Sequence, residues 1–115
     1  MDLDPIQTAH LVLHVIDDWL KANGTSGFKS GKTIGDNPPK GYGMTKQRYW
    51  KFCDDISDTL SKSTGRKLVL TKPWRDKHYT DVIDDFAGAV TFELLKAPLS
   101  ASGKRLGPVA KAITP

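Results

Sequence analysis

The chain has a single cysteine, Cys53, so no internal disulfide can form and a reducing compartment is the expected home. It has no apolar run near the roughly 18 residues that a bilayer-spanning helix requires, so no membrane partner is expected. The opening "MDLDPIQTAH" lacks the basic start and apolar stretch of a secretion signal. There is no repeat of useful length and no Cys/His cluster, and the serines lie in loop and tail segments with no base beside them. These absences point to a cytoplasmic protein with no cofactor. At 115 residues it has room for one domain with a modest core, and little room for a deep cofactor cleft.

What is present is charge in alternating blocks. Residues 1–21 carry four Asp against one Lys, and residues 80–96 four acids against Lys96. Between them, residues 22–51 carry Lys29, Lys32, Lys40, Lys46, Arg48 and Lys51 against Asp36 alone, and residues 66–79 carry five cations against Asp76. The net charge of +4 hides this segregation. Acidic blocks coincide with predicted helices and basic blocks with connections and the tail. Loops lie on the surface, so the positive charge should project outward wherever they gather.

The fold class expected is mainly α: a small three-helix domain over residues 1–96, followed by a basic, mobile tail over 97–115. Asp4 as N-cap, Pro5 at the first helical position and Gln7 behind it open the first helix. Ile6, Ala9, Leu13, Ile16 and Leu20 line one face, Val12 and Trp19 widen it, and Asn23-Gly24 stops it. A second helix starts after Thr45 and runs to about Ser63, with Tyr49, Phe52, Cys53, Ile56 and Leu60 as its stripe and Gly65 as its end. Trp50 falls outside that stripe. "KLVLT" at 67–71 reads as a short extended segment that Pro73 prevents from continuing. After Thr80, Val82, Ile83, Phe86, Val90 and Leu94 fit a third helix. Val90, Phe92 and Leu94 also alternate, so an α+β fold with strands near 67–71 and 89–95 is the alternative.

Residues 24–44 hold six Gly and the pair Pro38-Pro39, a long connection for a small domain. Within it, "GTSGFKSGKTIG" ends in the Gly-Lys-Thr of a phosphate-binding loop. A P-loop needs G-x-x-x-x-G-K-[ST] between a buried strand and a helix. Here Gly27 precedes Gly31 by four positions, a helix comes before, and "IGDNPPKGYG" cannot open another. The stretch reads as a flexible Gly-Lys connection.

Cations interleaved with aromatics suit a nucleic-acid surface, because Lys and Arg neutralise phosphate while flat rings stack on bases. Lys29, Lys32 and Lys40 flank Phe28 and Tyr42, and Lys46, Arg48, Trp50 and Lys51 continue into "TKQRYWKF". A helix N-terminus disfavours such cations. A second cluster, "KPWRDKHY", supplies Trp74, Arg75, Lys77, His78 and Tyr79, and the tail adds Lys104 and Arg105. Solvated lysines on Gly-rich loops, with Trp74 as a core plug, explain the same residues without any ligand.

Other chemistries have thinner support. His10, His14 and Asp18 stack at one-turn spacing, but nothing elsewhere completes a metal site. Asp17-Asp18, Asp54-Asp55 and Asp84-Asp85 diverge by about 100° on a helix, so they solubilise outer faces rather than converge on an ion. Cys53 lies in an apolar stripe, where a thiol is inert. His78 with Arg75 and Tyr79 allows a ribonuclease-like enzyme as a third possibility.

The expectation is therefore a non-enzymatic binding protein. Its basic, aromatic-containing loops engage nucleic acid or an acidic surface of a nucleoprotein complex, as would suit a phage or mobile-element accessory protein. The alternative is a protein–protein inhibitor or adaptor.

Overall fold

The computed structural model describes residues 3–100. Lys104, Arg105 and the expected tail from residue 101 onward lie outside the described residues. The protein is mainly helical: α1 (Pro5–Ala22), α2 (Lys46–Thr64), α3 (Lys72–His78) and α4 (Ile83–Lys96). None of these helices is long and apolar enough to cross a membrane.

The caps follow from the sequence. Asp4 Oδ1 accepts from the amides of Ile6 (2.9 Å) and Gln7 (3.4 Å). Thr45 caps α2 through the Arg48 amide, and Gly65 ends it at a left-handed φ of 69° that only glycine adopts without strain. Pro73, expected only to halt an extended segment, sits in the first turn of α3 behind its cap Thr71. There its missing N–H leaves no hydrogen bond unmade. The short α3 is thus a fourth helix beyond the three expected. Residues 89–95 are helical, within α4. Residues 67–71 form neither helix nor strand, and the Arg66 position pairs with Leu99 through an isolated antiparallel bridge.

α1 packs against both α2 and α4. The shared core is built from fully buried Val12, Ile16 and Leu20 of α1, Phe52, Ile56 and Leu60 of α2, and Phe86, Val90 and Leu94 of α4. Phe52 and Phe86 stack at 5.2 Å between ring centroids, and Trp19 tilts onto Phe52 at 4.8 Å. The α2 stripe matches the expectation residue for residue. On α1 it does not: Ile6 is 70% exposed and Leu13 37%, and the buried face is Thr8, Val12, Val15, Ile16, Trp19 and Leu20. Leu11, Val12 and Leu13 are consecutive, so more than one helical stripe fits. Trp19 decides between them, because its ring must reach Phe52.

The segment between α1 and α2 is not the flexible connection its composition suggests. Ile34, fully buried, and Met44 anchor it in the core. Thr33 bridges Gly41 and Val82, the Ile34 amide donates to Asp81 O, and the Ile83 amide donates to Lys32 O at 2.7 Å. Gly41 is required, since a Cβ there would collide with Thr33 and the Asp36 carbonyl. Two carboxylates complete the anchoring. Asp17 Oδ1 accepts from the Phe28 amide at 2.8 Å. Asp84 accepts from Ser30 Oγ and, at 2.7 Å, from the Gly31 amide. The donors that made "SGKT" look like a phosphate cradle therefore hold the protein's own Asp84.

Those hydrogen bonds lower both acids. Asp17 is held below the ordinary carboxylate range chiefly by the Phe28 amide, then by Lys21. Asp84 is held below it chiefly by the Gly31 amide, then by Ser30. A depressed folded-state value adds stability above the unfolded value of about 4, lost as pH falls through the folded value. Acidification below about pH 4 should therefore release residues 27–32 before the core opens, read as loss of hydrogen-exchange protection at the Phe28 and Gly31 amides. Phe86→Ala, which removes the ring packed on Phe52, Tyr49 and Trp74, should cost about 3–5 kcal/mol in denaturant unfolding.

Candidate partner-binding face

The first two turns of α2 place Lys46, Arg48 and Lys51 within about 7.5 Å along its axis. No acidic residue stands in that first turn to offset them. The core takes Tyr49 and Phe52, so Lys46 and Trp50 fall on the flank toward α3 while Arg48 and Lys51 fall toward α1. α3 adds Lys72, Arg75 and Lys77, and the two basic clusters converge. Lys46 and Lys72 each place an ammonium 3.1 Å from Asp76, which is held below its ordinary range first by Lys46 and then by Lys72.

Trp50 stands at the centre of this meeting, half-buried. Lys46 lies 5.8 Å, Lys72 6.0 Å and the Arg75 guanidinium 5.3 Å from its ring centroid. Its π faces thus engage the protein's own cations. Trp74 is also half-buried, edge-on to Phe86 and against His78 at 4.4 Å. Neither indole presents a free platform.

Arg75, expected to face a partner, is turned inward. Its Nε donates to Leu70 O (2.7 Å), Nη1 to Trp50 O (3.3 Å) and Nη2 to Asp54 Oδ1 (2.8 Å). Its own carbonyl accepts from the Tyr49 hydroxyl at 2.8 Å. An arginine that ties two helices through backbone carbonyls fixes α3 on α2 and leaves few donors for a ligand. The other members of the ribonuclease-like trio are engaged too. His78 Nδ1 lies 2.6 Å from Asp81 Oδ2, and the Tyr79 hydroxyl donates to Met44 O.

On the α1 side, a groove of about 520 Å³ runs between the end of α1 and the start of α2, lined by Trp19, Asn23, Thr45, Gln47, Arg48 and Lys51. A smaller hollow of about 210 Å³ lies across Arg48, against Tyr42 and Met44. Lys51 pairs with Asp55 at 3.2 Å, and Asp55 also accepts from the Trp19 indole at 2.9 Å. That indole is the main reason Asp55 sits below its ordinary range, Lys51 the second. Arg48 is exposed and, among the described residues, has no carboxylate within ion-pair distance, as is true of Lys77.

The loop lysines are dispersed. Lys29 is exposed, and its amide donates to the Tyr42 hydroxyl oxygen at 2.7 Å. Lys32 covers the Tyr42 ring at 5.3 Å, and Lys40 lies 3.7 Å from Asp36. His14 makes an exposed pair with Asp18, and no group of three potential metal ligands exists among the described residues. Cys53 is enclosed, and burial pushes its thiol up to about 11.

Sequence reasoning missed Lys72, Asp76, Trp19 and Asn23. The four-residue spacing of Lys72 and Asp76 was a usable signal, but the groove residues, brought together by helix packing, gave none. Arg75→Ala should destabilise the fold by about 1.5–3 kcal/mol, the range for hydrogen bonds to a charged group, with α3 protection lost in hydrogen exchange. Compared with protein-family models, with curated proteins and with solved structures, the chain shows no significant match to any.

Proposed function

We propose that this is a non-enzymatic, cytoplasmic binding protein that engages the phosphate backbone of nucleic acid, alone or in a nucleoprotein complex. The face it uses is made by the starts of α2 and α3. One observation carries the reading: Lys46, Arg48, Lys51, Lys72 and Lys77 crowd into two turns of α2 and one short helix, and Lys46, Arg48 and Lys72 stand in first turns, where the helix N-terminus alone would disfavour cations. Asp55 and Asp76 offset only part of that charge. The engaged faces of Trp50 and Trp74 favour backbone contact over base stacking, and hence binding with little sequence preference. Lys29, Lys32 and Lys40 on the loop, and Lys104 and Arg105 of the tail, would add phosphate contacts outside this face.

A protein partner is the second reading, favoured by the Arg48 groove, which suits an acidic side chain better than a continuous strand. Salt separates the two. With a random-sequence duplex and single strand, log K should fall steeply with log salt concentration, by about 0.9 per duplex phosphate contact. Replacing Lys46, Arg48, Lys51, Lys72 and Lys77 together by Ala should weaken binding at least about tenfold and flatten that slope. Absent or salt-insensitive binding, or unchanged affinity in the variant, overturns the phosphate reading.

A further inference from the structure

The outer face of α4 belongs to neither the core nor the cationic face. Ile83, Phe86, Ala87, Val90 and Leu94 point inward. Opposite them, Asp85, Gly88, Phe92 and Lys96 follow one another at helical spacing, all exposed, with Phe92 62% exposed. Phe92 is the one large aromatic among the described residues that the core leaves outside. Among the described residues, its ring partner is the Lys96 ammonium, 4.7 Å from the centroid.

Gly88 is equally out of place. The other glycines of the described segment are explained within the chain: Gly24, Gly27, Gly31, Gly43 and Gly65 have positive φ, and a Cβ at Gly35 or Gly41 would crowd a neighbour. Gly88 sits in a helix interior, where glycine is disfavoured relative to alanine, and a Cβ there would meet nothing within 4 Å. Nothing among the described residues accounts for the missing side chain.

We propose that this face binds a second copy of the chain. Two α4 helices pair antiparallel across a two-fold axis, each Phe92 filling the notch at the other copy's Gly88, with Asp85 opposite the other copy's Lys96. The pairs Gly88/Phe92 and Asp85/Lys96 have midpoints that coincide at about residue 90. A single two-fold there opposes large to small and acid to base at once, as an isologous interface demands. Asp85 has no ion-pair partner among the described residues, while Lys96 reaches Glu93 at 3.4 Å in its own helix. Past the Lys96 end lies a groove of about 270 Å³, in which Leu68, Val69, Ala97 and Pro98 adjoin the charged Lys67, Glu93 and Lys96. One helix pair with this margin makes a small interface, so association is concentration-dependent. It uses none of the cationic residues of the proposed binding face and stands independently of that reading.

Sedimentation equilibrium of the full chain, from about 10 µM to about 1 mM, tests the pairing. The mass should rise from 12.7 kDa toward twice that value. Gly88→Glu fills the notch while favouring the helix, and Phe92→Ser removes the knob from an exposed site. Each should weaken dimerisation at least about tenfold with an unchanged monomer melting temperature. Asp85→Lys and Lys96→Asp should each weaken it, and the two together should restore it. A monomer across the whole range overturns the proposal, as does a dimer indifferent to Gly88→Glu or a combined charge exchange that fails to restore association.

Discussion

Carboxylate-to-amide hydrogen bonding across the α1–α2 connection is the constraint from which the rest of this structure follows. A segment of more than twenty residues without helix or strand has no ladder of its own, so its polar backbone must be satisfied by something else. Asp17 on α1 and Asp84 at the start of α4 supply acceptors at either side, and Ile34 and Met44 supply the apolar anchor between them. With the connection fixed, the start of α2 is fixed, and with it the direction in which Lys46, Arg48 and Lys51 project.

The same chemistry appears with opposite sign at α3. Seven residues are too few for a helix to persist by its own hydrogen bonds, and α3 is held because the Arg75 guanidinium reaches carbonyls of neighbouring segments on two sides. Acidic side chains capture loose amides in the α1–α2 connection, and a basic side chain captures loose carbonyls at α3. The surface cations are what remain after these internal needs are met. Asp17, Asp84 and Arg75 thus bond the chain's own backbone, whereas Arg48 is exposed with no carboxylate partner among the described residues.

How much was legible in the sequence depended on how local the deciding contact was. Thr45, Gly65 and the Tyr49-to-Leu60 stripe decide α2 from within, and it was read correctly. α1 was placed correctly, and Val12, Ile16, Trp19 and Leu20 of its expected face are buried, but Ile6 and Leu13 do not belong to it, because three adjacent apolar residues leave the exact stripe to contacts with another helix. α3 was not recognised as a helix, since Pro73 and a run of cations resemble a surface turn. The loop was taken as mobile because its anchors lie far off in sequence: Phe28 bonds an acid 11 residues away, and Gly31 one 53 residues away. At the candidate site, the cationic residues were visible by composition. The inward turn of Arg75 was not, since arginine is rarely buried unless paired, and its carbonyl partners carry no sequence signal.

The enclosed thiol of Cys53 gives the molecule a built-in clock. It sits on the inward side of α2 between Tyr49 and Ile56, with its protonated form favoured by its surroundings, so an alkylating reagent reaches it only when α2 lifts from its neighbours. The rate of that single covalent event reports how often the helix bundle breathes, at one residue and without any introduced label.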